Sequence, residues 1–293
     1  MNKEDTFLKI INETVKDNSY LGDDCAYIKN LNLLISQDTL YEDIHFSFSY
    51  FTPYTLGKKA VLVNISDIFA GGGIPLYITI SLSGNLDEGF IKEFYEGVNE
   101  IIEKYNIKLI GGDLTGGCKT VISISIIGYT KNPSGRKNAQ FGYNLYLAGF
   151  HGSSAMGLKL LQEGCRDYDN ELIKAHIEPV LYPEISNAVM NNAKDKYAMT
   201  DTSDGLFNAL DKIRAESKTG FDIQYDKILK RVDDKNLVLF GGEDYGLLIA
   251  LSSDDGKILD KFNIPKIGTV TNTNKIIIDG KEIIEDKSFN HFK

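Results

Sequence analysis

Apolar residues at Phe7, Leu8, Ile10, Ile11 and Val15 fall at helical spacing, and Leu31 to Ser36 is an apolar run of strand length. Thr52-Pro53 opens the next predicted helix, whose apolar positions Leu56, Ala60, Val61 and Val63 lead to the stop at Gly71-Gly72-Gly73. A strand over Leu76 to Leu82, an amphipathic helix over Asp87 to Tyr105, and a strand over Lys108 to Ile110 follow, the last running into Gly111-Gly112-Asp113. Val121 to Tyr129 alternates as a strand does. The polar stretch Lys131 to Gln140, with Pro133, Gly135 and Arg136, breaks the pattern and reads as a linker. Beyond it the pattern predicts a strand at Asn144 to Gly149 and a helix to Glu163 that Ser153 or Ser154 caps. A strand at Tyr197 to Thr200, a helix at Asp204 to Glu216, and strands near Gly246 to Leu251 and Lys266 to Val270 complete the chain. The same order recurs in both halves, so the expected fold is α/β (α+β) with two related domains, 1–137 and 138–293.

Composition agrees with two cores: 293 residues exceed the usual length of one core, and 42% of them are hydrophobic. A net charge of −9 disfavours nucleic acid or an anionic membrane as partner, because those surfaces are bound through clustered Lys and Arg. The opening Met1-Asn2-Lys3-Glu4-Asp5 lacks the apolar core of a secretory signal, and Asn64, Asp67 and glycines interrupt the most apolar stretch, Ala60 to Leu82. The expected location is cytoplasmic. Cys25, Cys118 and Cys165 show no C-x-x-C spacing and read as reduced thiols.

Aspartate stands beside glycine or a small polar residue in Gly22-Asp23-Asp24, Ser36-Gln37-Asp38, Asn64-Ile65-Ser66-Asp67, Gly111-Gly112-Asp113, Asp201-Thr202-Ser203-Asp204-Gly205 and Gly242-Glu243-Asp244. Any one such segment is an ordinary acidic turn. Together they suit a hard divalent cation, since Mg²⁺ takes oxygen ligands and is held by a few carboxylates plus substrate phosphates. Converging acids repel and raise one another's pKa, so they call for cations. Asp38, Glu42, Asp43 and His45 follow a strand, placed to share a metal with Asp23 or Asp67. The glycines before Asp113 allow backbone N–H groups to approach phosphate. Gly152-Ser153-Ser154-Ala155-Met156-Gly157-Leu158-Lys159 lacks the P-loop ending, and neither a G-x-G-x-x-G after a strand nor a protein-kinase signature occurs. His45, His151, His176 and His291 show no metal-protease spacing.

Read in order, Gly22-Asp23-Asp24-Cys25-Ala26, Asp38-Thr39-Leu40 through His45-Phe46, Asn64-Ile65-Ser66-Asp67, Gly111-Gly112-Asp113, Ser203-Asp204-Gly205-Leu206 and Gly241-Gly242-Glu243-Asp244-Tyr245 resemble the thiamine-monophosphate kinase family over nearly the whole chain. The terminal Ser288-Phe289-Asn290-His291-Phe292 adds to the likeness. Aminoimidazole ribonucleotide synthetase, selenophosphate synthetase and the hydrogenase-maturation dehydratase share the two-domain plan. The resemblance implies an N-terminal domain whose strands pair across a homodimer into a barrel, with MgATP bound between the domains. It also implies transfer of the ATP γ-phosphoryl group to thiamine monophosphate, assisted by several Mg²⁺ ions. By resemblance the metal ligands are Asp23, Ser36, Gln37, Asp38, Asp67, Asp113, Asp201 and Asp204, with Asp38, Asp67, Asp113 and Asp204 the catalytic carboxylates. Gln37 stands where the family usually has Thr, and ligates through its side chain or its carbonyl. ATP contacts are Gly112, Asp113, Arg136, Ser203 and Tyr95, and substrate contacts are His45 and Phe289. Two departures stand out: Gly246 replaces a glutamate that the family places near the substrate, and Gly116 replaces an arginine. They leave open a sister ATP-dependent synthetase or a nucleotide-binding protein without turnover.

Overall fold

The computed structural model describes residues 3–289. Its first half contains α1 (Lys3–Thr14), β1 (Ala26–Ile28), β2 (Leu33–Tyr41), α2 (Pro53–Ala70), β3 (Ile74–Gly84), α3 (Glu88–Tyr105), β4 (Lys108–Gly116) and β5 (Val121–Tyr129). These strands form one sheet in the order β1-β2-β5-β3-β4, with β3 and β4 parallel and joined through α3. Strand alternation sorts the two faces. Leu34, Leu40, Ile78, Ile80, Leu82, Ile122, Ile124 and Ile126 are buried in one core with α2 and α3. The opposite face carries Gln37, Thr39, Ser123 and Ser125, which hydrogen-bond to one another, and among the described residues no helix packs over it.

The helix α2 is the spine of the molecule. Thr52 caps it through a reciprocal hydrogen-bonded box with Thr55, Pro53 fills its first turn, and nearly every later residue is buried. It lies close against α3 because both contact points are glycines: a Cβ at Gly57 would sit 2.2 Å from Phe94 O, and one at Gly97 2.0 Å from Tyr54 O. No described helix is long and apolar enough to cross a membrane.

The second half contains β6 (Asn144–Ala148), α4 (Ser153–Gln162), α5 (Glu171–Ile177), α6 (Pro183–Asn192), β7 (Ala198–Asp201), α7 (Leu206–Ser217), β8 (Gly220–Ile223), α8 (Lys235–Phe240), β9 (Leu247–Leu251), β10 (Lys266–Thr271), β11 (Ile276–Ile278) and β12 (Lys281–Glu282). The sheet order is β12-β11-β8-β10-β6-β9-β7. Its faces are both covered. Leu145, Leu248 and Ala250 pack with Leu206, Leu210, Ile213 and Val238 of α7 and α8, whereas Met199, Leu247 and Ile249 pack with Ile185 and Val189 of α6 and Ala70 of α2.

The mixed α/β class expected from the sequence is the class observed, and several boundaries differ. The strand β2 continues to Tyr41 instead of ending near Ser36, because its polar residues pair along β5, with Gln37 and Thr39 on the open side and Asp38 on the covered side. Gly111-Gly112-Asp113 lies within β4, paired with β3, and is not a turn. The short helices α5 and α8 span too few turns for their periodicity to stand out. Neither Ser153 nor Ser154 caps α4; the Asp244 carboxylate accepts from Gly152 N at 2.6 Å and Ser154 N at 2.9 Å instead. Cys25, Cys118 and Cys165 are free. Asn290-His291-Phe292 lies outside the described residues.

Candidate active site

Four of the six acidic segments, those of Asp24, Asp38, Asp67 and Asp201, converge at the seam where the C-terminal end of α2 meets β7. Asp67 sits in the last turn of α2 beneath β2, where Ser36 Oγ donates to its Oδ2 at 2.5 Å. Asp201 ends β7 and is held on both oxygens: Ser66 of α2 donates to Oδ2 at 2.7 Å, and Ser203 donates to Oδ1 at 2.9 Å. Asp24 enters from the loop before β1 and pairs with Arg136, Nη2 to Oδ1 at 2.6 Å, with Thr200 donating to the same oxygen at 3.0 Å. Among the described residues, Asp24, Asp67 and Asp201 offer ligand oxygens that all lie within 4.8 Å of one another. Two elements of the first half and one of the second therefore build one carboxylate cluster.

Its electrostatics follow from burial without a compensating charge for every acid. The Asp67 carboxyl is pushed well above its usual range by burial and then by Asp38, Asp201 and Asp24. Burial, followed by Asp204, raises Asp38 to about 6, against the opposing pull of Lys212. Burial and Asp24 raise Asp201 to about 6. Lys212 pairs with Asp204 at 2.6 Å, so one cation already stands at the rim.

The structure gathers Asp38, Asp67, Asp201, Asp204, Ser36 and Ser203 at this seam and distributes the other expected residues differently. Asp23 is exposed and accepts from Arg136 N at 2.7 Å, while its neighbour Asp24 supplies the clustered carboxylate. Arg136 is engaged with Asp24, Thr200 and Gly22 O, and so braces the Asp23-Asp24 loop. The Gln37 side chain lies on the open face of the sheet, bonded to Ser123 and Ser125. Asp113 is register-matched to Ser81, Ser123 and Thr39 across the sheet. That row belongs to the open face and lies three strands from β2, roughly 14 Å at about 4.8 Å per strand. Gly112 shares the exposed edge strand β4. Tyr95 is half-buried against Phe94 on α3. His45 Nδ1 accepts from Tyr41 N in its own turn, and Phe289 is exposed. Glu42 and Asp43 turn to Thr120 N and Lys119, away from the cluster.

Sequence reasoning passed over Asp24, Ser66, Thr200 and Lys212. Asp24 was visible only as half of an Asp-Asp pair, and the arginine that selects it lies more than a hundred positions away. At Gly246 a Cβ would fall 2.4 Å from Ala148 O and 2.8 Å from His151 Cε1, so the His151 ring fills the space a side chain there would need. His151 donates from Nδ1 to Gly149 O and accepts from Thr202 Oγ1 at Nε2, and burial holds it neutral with its pKa down at about 4.

The chain that builds this seam matches, over residues 22–130, the family model for AIR synthase related protein, N-terminal domain. The chain is 31% identical to the thiamine-monophosphate kinase of Aquifex aeolicus, covering 97% of this chain and 96% of that one. It is 39% identical to the thiamine-monophosphate kinase of Buchnera aphidicola subsp. Schizaphis graminum, covering 93% and 92%. The solved structure of AaThiL complexed with AMPPCP and TMP superposes with a TM-score of 0.89 at 29% identity, covering 100% and 99%. The chain belongs to the thiamine-monophosphate kinase family and is a kinase of it.

Proposed function

We propose that the protein transfers the γ-phosphoryl group of ATP directly to thiamine monophosphate, giving thiamine diphosphate and ADP. The observation that carries this reading is the cluster of Asp24, Asp67 and Asp201, drawn from both halves of the chain. Its donor set fits Mg²⁺: hard carboxylate oxygens, close together, with the Asp67 and Asp201 carboxyls raised by burial and then by neighbouring acids. Asp24, Asp67 and Asp201 would hold the ion, with Asp38, Asp204 and Ser36 beside them. When bound, Mg²⁺ supplies the positive charge that lets two phosphorylated anions approach.

The chain's own residues supply the rest. Phosphoryl transfer has a loose transition state and needs in-line positioning more than a covalent nucleophile. The acceptor is a phosphate monoester already ionised near neutral pH, which makes a strong general base unnecessary. Lys212 and Arg136 add fixed cations at the rim, and Ser203 offers a hydroxyl beside Asp201. Several ions share the remaining acids in this reading, with His45 and Phe289 toward the thiamine moiety and Tyr95 and Gly112 toward ATP. Asp113 on the open face joins the site of a second copy, whose sheet closes against this one as a homodimer barrel. The boundary between a domain of residues 1–137 and one of 138–293 falls beside Arg136, the residue that braces the Asp23-Asp24 loop.

The test is ADP release from MgATP with and without thiamine monophosphate, with thiamine diphosphate followed as product. Acceptor-dependent ADP matched by thiamine diphosphate supports the reading. ATP binding with no product overturns it.

A further inference from the structure

One buried cation has no part in the chemistry above. Lys59 of α2 is fully buried, with its Nζ 3.2 Å from both carboxylate oxygens of Glu243 and 3.0 Å from His176 O. His176 Nδ1 lies 3.1 Å from Glu243 Oε2. Burial alone would raise the Glu243 carboxyl, but Lys59 and His176 overcome it and hold it down at about 2. A buried cation is costly unless paired and hydrogen-bonded, and this one is both.

The loop that Lys59 grips is strained and zipped to the active-site turn. Glu243 and Tyr245 are non-glycine residues at φ +63° and +49°, a conformation that persists only where surroundings impose it. Glu243 N donates to Ser203 O at 2.6 Å, Thr202 N donates to Gly246 O at 3.0 Å, and Gly246 N donates to Thr202 Oγ1 at 2.9 Å. Ser203 Oγ then donates to Asp201 Oδ1, and Ser66 of α2 donates to Asp201 Oδ2. Lys59 and Ser66 stand about two turns apart on one face of the same helix, at about 3.6 residues per turn. The contacts thus make a closed circuit from α2 through Lys59, Glu243, Ser203 and Asp201 back to Ser66.

We propose that the Lys59–Glu243–His176 unit is a positioning device for metal binding: it fixes the Asp201 turn of the second half against Asp24 and Asp67 of the first. The proposal rests on reading those three aspartates as a metal site. Glu243 acts through Ser203 and touches neither metal nor substrate in this role. A merely stabilising ion pair would alter melting and leave metal affinity alone.

Mn²⁺ binding, followed by electron paramagnetic resonance on the full chain without nucleotide or thiamine phosphate, separates these cases. Glu243→Gln keeps the backbone donor and the side-chain shape while removing the charge; it is expected to weaken Mn²⁺ binding about 10- to 100-fold, as loss of supporting contacts around metal ligands does. The Mg²⁺ concentration for half-maximal activity rises in parallel, while kcat at saturating Mg²⁺ stays near the wild-type value. The double variant Lys59→Met with Glu243→Gln removes both charges, guards against misfolding, and is expected to show the same weakening. Glu100→Gln, which breaks the pair between the buried Lys58 and the exposed Glu100, leaves Mn²⁺ binding unchanged. Wild-type Mn²⁺ affinity in both folded variants overturns the proposal and leaves the proposed function standing. A wild-type chain that binds no Mn²⁺ overturns the metal reading and the proposal together.

Discussion

The two sheets differ in how many faces they bury. In the second sheet every residue of β9 is buried, and helices lie over both faces. In the first, β5 alternates between buried and half-exposed positions, and among the described residues the helices α2 and α3 cover one side. The open side exposes Ile35, Tyr41, Tyr77 and Tyr129 around a polar centre of Gln37, Thr39, Ser123 and Ser125. A sheet buried on both faces is finished as folded, whereas a one-sided sheet can take a second layer. The clustered acids Asp24, Asp67 and Asp201 lie where the finished sheet meets the covered side of the unfinished one.

The largest effect is expected at that seam. Asp67→Asn removes the carboxylate that α2 contributes to the cluster and should abolish turnover, a loss of at least about a thousandfold if each reaction cycle needs the shared ion. Melting without metal should not fall, because burial, and then Asp38, Asp201 and Asp24, disfavour the ionised form of Asp67. ADP release at saturating Mg²⁺ checks the first statement and a thermal melt the second; near-normal kcat would sink the shared-metal assignment.

Substitutions in the two sheets should then fail in different ways. Leu248→Ala empties a fully buried site in β9 and should cost about 2–5 kcal/mol in denaturant unfolding with no change in mass in solution. Ser125→Arg on the open face should cost within about 0.5 kcal/mol of nothing, as surface changes do. It should instead convert a two-chain species in sedimentation to a single chain. An unchanged sedimentation coefficient would remove the second copy from the proposed site.

The same contrast explains what could be read from the chain. The alternation of β5 and the apolar positions and capped start of α2 are local signals, and the elements appeared where the pattern put them. The acidic segments were legible as a set because each carries aspartate in a short polar or glycine-bearing stretch. Which aspartate of a pair turns inward was not legible: Asp24 rather than Asp23 joins the cluster because Arg136 and Thr200 hold it from afar. Asp113 sat in a segment that looks like a turn, yet pairing with β3 makes it strand and sends it to the open face. Side-chain direction there depends on register, which a single segment does not encode.

A smaller effect concerns pH. Asp38 and Asp201 have folded pKa values of about 6, above the roughly 4 of an unfolded aspartate. Between those values the folded chain holds more protons than the unfolded one, so the stability these groups contribute is full below about pH 4 and is lost as pH rises through 6. Metal-free protein should therefore lose stability across that window, and Mg²⁺ should restore it above the window. At a hundred times its dissociation constant the ion adds about 2.7 kcal/mol, a rise in Tm of roughly 5–10 °C. Melts at pH 7.5 and pH 5 with and without Mg²⁺ should show the rise mainly at the higher pH.

The smallest effect tests whether α2 transmits anything beyond its own stability. Thr52 accepts from Thr55 N, and its removal in Thr52→Ala should cost about 1 kcal/mol, the usual loss for a helix N-cap. The cap lies at the far end of the helix from Asp67, with buried turns between that are locked to α3 and both sheets. A change confined to the first turn should lower Tm slightly and leave the Mg²⁺ dependence of activity where it was. If Thr52→Ala also shifted that dependence, α2 would be moving as a unit, and the cluster would owe its geometry to the whole spine instead of to the local contacts of Ser36, Ser66 and Ser203.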